Sequence, residues 1–404
     1  MKYIYQFMLV VFLLFGFSSS DALAQFFPAG SESKSIGLES SLNSRNGSAV
    51  LYNPANLSFS HPGHEIYLEL GYLKAELAYE HPDFDQVKVD VMTPVANLGY
   101  AGAILDNTLH LGFIYFPWSR GKQSIDGVPR RIAGNYEALY IEQESDNYDL
   151  GIGASYSLLP ELSLGVSVIR RSERKKLYAT LTGDDVTLVK LDAYNQFYIP
   201  VFGVNYQYNT ISTAISYRPA REKHYQGSQK SALSDTYTSP TIAGYEPTKI
   251  FLGLGIDYLK YSVSVHMNYY RWTQGKKVFQ EGVTSQNAQS DLRDSIDRAI
   301  QFGYQVMPNL KVLAGYAYRP SPWGDGFFNG QSDQYRIGAD FGGINNVTQK
   351  VMSIGSEYAM CNNLNLNPTI YRSIGRREIK ASGDRPGYYQ SEVLVFGLAA
   401  VGKF

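Results

Sequence analysis

The sequence predicts an all-β fold: a closed barrel of about fourteen antiparallel strands that spans a membrane and holds an N-terminal plug in its lumen. Three observations carry the prediction. Apolar and polar residues alternate with a period of two through most of the chain after Gly63. Tight turn signals and long polar stretches take turns between the alternating segments, as in a barrel with short turns at one end and long loops at the other. Tyrosine is unusually frequent, with 33 residues beside 37 glycines in a chain of 404. Its ring, apolar at one end and wet at the other, suits membrane-interface girdles.

Met1 to Ala24 is expected to be a signal peptide outside the fold. Lys2 supplies a positive start, Phe7 to Phe17 is an unbroken apolar run, and Ala22-Leu23-Ala24 is a small-x-small cleavage site before Gln25. The apolar run is too short to span a bilayer as a helix, and no later run is long enough. The mature chain is therefore expected to leave the cytosol and, as a barrel, to reside in an outer membrane.

Composition narrows the chemistry. A formal charge of −1 gives no footprint for nucleic acid. The single cysteine, Cys361, lies in the turn-like stretch YAMCNNLNL and excludes a disulfide framework or a cysteine zinc site. The six histidines are scattered, and neither His-Glu-x-x-His nor Gly-x-Ser-x-Gly occurs. Asp83, Asp85, Asp184 and Asp185 read as solvated loop carboxylates rather than calcium ligands. No catalytic residue, metal or cofactor is expected.

The strands follow in order. The first begins near His64. Leu150 to Leu158 (LGIGASYSL) and Leu162 to Val168 (LSLGVSV) each alternate along a strand. IFLGLGIDY places Ile250, Leu252, Leu254, Ile256 and Tyr258 on one face. YSVSVHMNYY does the same with Tyr261, Val263, Val265, Met267 and Tyr269, and LKVLAGYAY with Leu310, Val312, Ala314, Tyr316 and Tyr318. Tight joins are expected at Asp106-Asn107, Leu159-Pro160, Tyr208-Asn209, Leu259-Lys260, Pro308-Asn309 and Asn362-Asn363. Long loops are expected over His81–Thr93, Ser119–Asn147, Glu173–Gln196, Arg221–Glu246, Gln274–Asp297, Ser321–Asn346 and Lys380–Gly387. Arg170–Lys176 (RRSERKK) should end a strand, facing solvent or lipopolysaccharide phosphates. An even strand count puts both termini on the periplasmic side, and lipid tolerates no open sheet edge, so the sheet must close. The last strand, VLVFGLAAVGKF, ends on Phe404. Outer-membrane barrels commonly end in such an aromatic residue, which the barrel assembly machinery reads.

Gln25 to Ser60 does not alternate. It is small and polar, then bends at Asn53-Pro54 within SAVLYNPANLSF. A disordered tail has no use for a Pro-fixed bend flanked by Val50, Leu51, Tyr52, Leu57 and Phe59, which would be costly to leave in water. The expected division is therefore a signal peptide at 1–24, a lumenal hatch at 25–62 and a barrel at 63–404.

The phrase SAVLYNPANL ahead of a first strand resembles the N-terminal hatch of the long-chain fatty acid transporter family, the FadL/TodX type. Three further segments resemble that family in order along the chain: ISYRPAREKHYQG, EPTKIFLGLGIDY followed by NYYRWTQ, and LKVLAGYAYRPSP. The resemblance implies a monomeric outer-membrane transporter for small hydrophobic compounds, long-chain fatty acids or similar lipids and hydrocarbons. A ligand would enter between outer loops, bind in an apolar lumen pocket and leave sideways at a kinked strand after hatch movement. It implies hatch residues Asn53, Pro54 and Ala55. In HLGFIYFPWSRG, Gly112 and Pro117 are the candidates for the strand irregularity, because Pro cannot donate to a ladder and Gly packs no side chain. The middle loops are mostly polar, unlike the family's apolar groove. The apolar loop residues are Phe116 and Trp118, with Trp323, Phe327 and Phe328 in SPWGDGFFNG, and these are expected at the ligand entrance. The expected partners are a hydrophobic or lipid substrate, outer-membrane lipids with lipopolysaccharide, and the assembly machinery through Phe404. Two other readings are a general diffusion porin and a structural or secretion-associated barrel.

Overall fold

The structure, a computed structural model, describes residues 34–36, 38–60, 63–80, 86–105, 108–132, 135–181, 187–231, 237, 243–275, 293–322, 347–379 and 387–404. The expected signal peptide, and the expected hatch up to residue 33, lie outside these residues.

The chain alternates between two faces because the two solvents differ. In β11 (Thr248–Tyr258) Leu252, Leu254 and Ile256 point outward and are exposed, while Phe251 and Gly255 are buried inward. In β12 (Tyr261–Arg271) Val263, Val265 and Met267 point outward, and Ser264, His266 and Asn268 are buried within. Apolar side chains outside and polar ones within is the reverse of a water-soluble fold and the arrangement a bilayer requires.

These two strands belong to a closed ring of fourteen. The others are β1 (His64–Glu80), β2 (Val87–Leu105), β3 (Leu109–Ile132), β4 (Asn135–Leu159), β5 (Leu162–Leu181), β6 (Thr187–Tyr208), β7 (Ile211–Arg218), β13 (Ser295–Met307), β14 (Leu310–Arg319), β15 (Gln349–Cys361), β16 (Leu364–Ile379) and β17 (Gly387–Lys403). Every neighbouring pair is antiparallel, and β1 pairs with β17 from Glu65↔Lys403 to Glu80↔Tyr388, so the first and last strands seal the ring. Beyond the last rung, the Phe404 amide donates to the His64 carbonyl at 2.9 Å. Three short strands lie off the ring: β8 (Arg221–His224) pairs with β10 (Ala243–Glu246), and β9 (Gln226–Ser231) adds to the far end of β6.

Two-residue turns at Asn209-Thr210, Leu259-Lys260, Pro308-Asn309 and Asn362-Asn363 lie at the same end as the start of β1 and Phe404, hereafter the turn end. Tyrosines ring the wall just above it, where Tyr261 and Tyr304 sit opposite each other with ring centroids 5.2 Å apart.

Three expected loops are corrected by the structure. Most of Ser119–Asn147 is the continuation of β3 and β4, Glu173–Gln196 is largely that of β5 and β6, and β2 already begins at Val87. These hairpins rise past the apolar band, where the outward face is polar and the inward face mixes apolar residues such as Ile141, Leu177 and Leu191 with polar ones such as Asn147 and Glu173, so the alternation is weak in the sequence. Cross-strand ion pairs hold them instead: Lys176 to Glu144 at 2.9 Å and Arg174 to Asp192 at 3.0 Å. Two cations of the RRSERKK stretch thus meet the chain's own carboxylates.

Candidate functional site

Residues 38–60 fold into the lumen as a hatch: a 3-10 turn (Asn46–Ser48), one short α-helix (Ala49–Tyr52) and a 3-10 helix (Pro54–Phe59). Asn53 is extended between the helices, and Pro54 starts the second one, where its missing N–H costs no bond. The Asn53 side-chain oxygen caps that helix by accepting from the Ala55 amide at 3.2 Å. Its amide donates to the Ser41 carbonyl at 3.0 Å and to the Val204 carbonyl of β6 at 3.2 Å. Asn56 donates to the carbonyls of Ser41 and Ser44 and accepts from Asn205 of β6 at 2.5 Å. The two asparagines thus fasten the bend both to the hatch and to the wall. Ser163 and Ser167 of β5 donate to the carbonyls of Ala55 and Val50, at 2.8 and 2.7 Å.

The wall makes room where the hatch backbone touches it. A Cβ on Gly165 would overlap the Ala55 amide, and one on Gly203 would overlap the Asn53 side-chain oxygen. A Cβ on Gly112 would stand 2.6 Å from Leu57 and 2.7 Å from Val50. Only glycine permits that approach.

The other side of the hatch is held by charge. Lys34 and Glu69 of β1 are fully buried and 2.5 Å apart. Glu69 also accepts from Asn97 at 2.8 Å and from the Tyr67 hydroxyl. Burial lowers the Lys34 ammonium to about 8 against the opposing pull of Glu69. For Glu39, burial pushes the carboxyl up, but Lys249, Arg218 and Arg319 more than offset it and hold it below the usual range. Arg218 donates to the Leu51 carbonyl, and its guanidinium lies 5.6 and 5.0 Å from the Tyr52 and Phe251 ring centres. His266 bridges Ser40, at 3.3 Å, and Ser264, at 2.9 Å, so the hydroxyl partners on its two nitrogens make it a hatch anchor. On the turn-end side the hatch faces a polar cavity of ≈ 360 Å³ lined by Arg45, Glu65, Lys311 and Lys403 among others.

Beyond the hatch, away from the turn end, the lumen lining changes in character. One wall is apolar and continuous with Val50 and Leu57: Ile114 and Phe116 of β3, Ile169 of β5, Ile199 and Val201 of β6. Further from the turn end, on the same strands and on β8 and β10, the lining is charged and internally neutralised. Arg171 holds Asp149 through two bonds of 2.8 and 2.7 Å and reaches Glu246 at 3.1 Å. Glu246 also meets Lys249 at 2.8 Å, and Lys223 meets Glu173 at 2.7 Å. Burial alone would push the Glu246 carboxyl up, but Lys249, Arg171 and Lys223 hold it well below the usual carboxylate range.

The ring has one long gap in its pairing. The β2–β3 ladder runs from Leu105↔Leu109 to Leu98↔Tyr115 and stops. Past that rung β2 stays paired to β1 as far as Val87, and β3 to β4 as far as Ile132. Pro94 and Pro117 lie in the unpaired stretches, each lacking a ladder donor. The β3–β4 register also shifts between Pro117 and Ser119. The seam therefore parts a few residues above the point where Gly112 touches the hatch.

The structure seats Asn53, Pro54 and Ala55 against β5 and β6 and Gly112 against Val50 and Leu57 of the hatch, while Phe116 and Pro117 lie further along β3 beside the seam. Phe116 is buried on the lumen face, above the hatch, rather than at a loop entrance, because it alternates in phase with Gly112 and Ile114. Trp118 falls within the β3 register shift, with its side chain outside the described residues, as are Trp323, Phe327 and Phe328. Lys34, Glu39, Glu69 and Arg218 were not expected. For Glu69 the signal was a carboxylate at an inward position of an otherwise apolar strand, YLELGY.

No protein-family model matches the sequence, and no curated protein matches it either. Solved structures do. A Pseudomonas aeruginosa FadL homologue aligns with a TM-score of 0.68 at 13% identity, over 93% of this chain and 98% of that one. The P. putida toluene transporter TodX aligns at 0.62 with 14% identity, over 94% and 99%. The Ralstonia pickettii toluene transporter TbuX aligns at 0.59 with 11% identity, over 94% and 99%. The fold is that of the FadL-type barrels.

Proposed function

We propose that this protein carries small hydrophobic compounds across an outer membrane, with the turn end in the periplasm. The reading rests on one observation: an apolar lumen wall, floored by a fastened hatch, adjoins a parted β2–β3 seam that faces the bilayer. An apolar molecule gains nothing from a water-filled pore, whereas an apolar wall lowers its barrier and a gap at membrane height lets it pass into lipid. The similarity to toluene transporters supports this reading. The hatch would be the floor that shifts, Phe116 part of the inner pocket, and Gly112 to Pro117 the exit. Trp118, Trp323, Phe327 and Phe328 would offer apolar area to arriving ligand, and Phe404 the closing signal for barrel assembly. A hatch fastened by Asn53 and Asn56 disfavours a general diffusion porin.

The test compares uptake of radiolabelled toluene and oleate by cells with and without the gene. Complementation should restore uptake of at least one probe. Equal uptake in both strains, together with large steady ion currents through the purified barrel, would favour the porin.

A further inference from the structure

On the outward face, register aligns Arg298 of β13, Tyr318 of β14 and Lys350 of β15 in one row across three neighbouring strands. All three side chains are exposed. The row below it, Ile300, Tyr316 and Met352, carries no charge. Arg298 and Lys350 lie roughly ten residues from the turn end of their strands. At ~3.3 Å per residue and a tilt of ~40° this is about 25 Å, the height of the apolar band of an outer-membrane barrel. The row therefore stands at the bilayer's outer boundary.

Two other outward cations at this height are neutralised by the chain. Arg372 of β16 holds Glu392 at 2.7 Å, and Lys74 of β1 holds Glu76 at 2.6 Å. Among the described residues, neither Arg298 nor Lys350 has an ion-pair partner. Two strand spacings separate them by about 10 Å, a span that two long side chains close around a single tetrahedral anion, with the Tyr318 hydroxyl between as a third donor. The anion available at that height, on that face, is the phosphate of an outer-leaflet lipid.

We propose that Arg298, Tyr318 and Lys350 form a docking surface for the phosphate of a lipopolysaccharide-type glycolipid, whose acyl chains lie against Ile300, Tyr316 and Met352. The proposal rests on the outer-membrane placement above but on no step of transport. The two guanidinium and ammonium groups supply charge, and the apolar row below supplies the contact that a free anion does not need.

The experiment uses the full barrel purified in detergent, titrated with diphosphorylated lipid A or its dephosphorylated counterpart, with retained adducts counted by native mass spectrometry. The wild type should retain the diphosphorylated lipid and not the other. R298Q/K350Q should lower retention at least tenfold, K74Q should leave it unchanged, and inorganic phosphate at the same concentration should not displace the lipid. Heat-modifiable migration on gels verifies folding, and K350Q alone, expected to lower retention several-fold, serves if the double variant fails to assemble. Undiminished retention by R298Q/K350Q (or by K350Q in its place), equal retention of both lipids, or displacement by inorganic phosphate would each overturn the site. No transport is measured, so the result stands apart from the uptake test.

Discussion

Leu98 and Tyr115 form the last rung between β2 and β3, and Pro117 follows two residues beyond it. A strand that loses its neighbour at this height leaves backbone groups facing lipid or lumen, a cost the wall accepts only where the gap serves something.

Replacing Pro117 with Val restores a donor and a strand-forming side chain. The ladder should extend past Leu98↔Tyr115, and uptake of hydrophobic probes should slow several-fold at unchanged barrel abundance. Wild-type uptake by an assembled Pro117→Val barrel would place the exit elsewhere.

The hatch should loosen when its fastening is cut. Asn53→Ala removes the bond to the Val204 carbonyl and the cap on the Ala55 amide, the lost cap at about 0.5–2 kcal/mol, while the Ser41 carbonyl keeps its bond from Asn56. Gly203→Val forces the same region away from β6 by overlap. Both variants should raise the frequency of open events in planar bilayers, and silent membranes would show that other contacts hold the hatch.

Lys34 and Glu69 lend themselves to a double-mutant cycle. Lys34→Met or Glu69→Gln alone leaves one member of a buried pair uncompensated, at about 3–5 kcal/mol. The combined variant should cost much less. Thermal unfolding of the detergent-solubilised barrel reads both, and additive losses would show that the pair is not coupled.

Lys34 should also titrate low. With its folded value near 8 and an ordinary value of 10.5, the unfolded chain binds more protons between these limits. Stability should therefore rise through that window as pH increases, and the cost of keeping the buried ammonium charged is fully present below pH 8. The ¹⁵N resonance of the Lys34 amine, assigned by its loss in Lys34→Met, should move with a midpoint near 8. A midpoint above 10 would mean that water reaches the pair.

The barrel was legible because a bilayer outside and a crowded lumen inside impose opposite demands on alternate residues, as in Tyr261 to Tyr269. The hairpin arms were not, since the outward face of Ser119–Asn147 is polar like its loops and inward Ile141 is followed by polar Ser145 and Asn147. Pro117 announced a fault in β3, but a lone proline does not say which neighbour is lost; the β2–β3 ladder decides that. The hatch bend was legible in Asn53-Pro54, whereas the partners of its asparagines lie on β6, some 150 residues away, and no local pattern points to them.

The distances along the chain between hatch and wall also set an order of events. Ser35 is bonded to Ser353 across 318 residues and to Gln301 across 266, and Glu39 to Asn268 across 229. The hatch is made first and can be seated last, because its sites on β12, β13 and β15 exist only once those strands have been inserted. Contacts of such high order close slowly. Until they do, the ring would stand without its plug, and a slow step in seating would lengthen that interval.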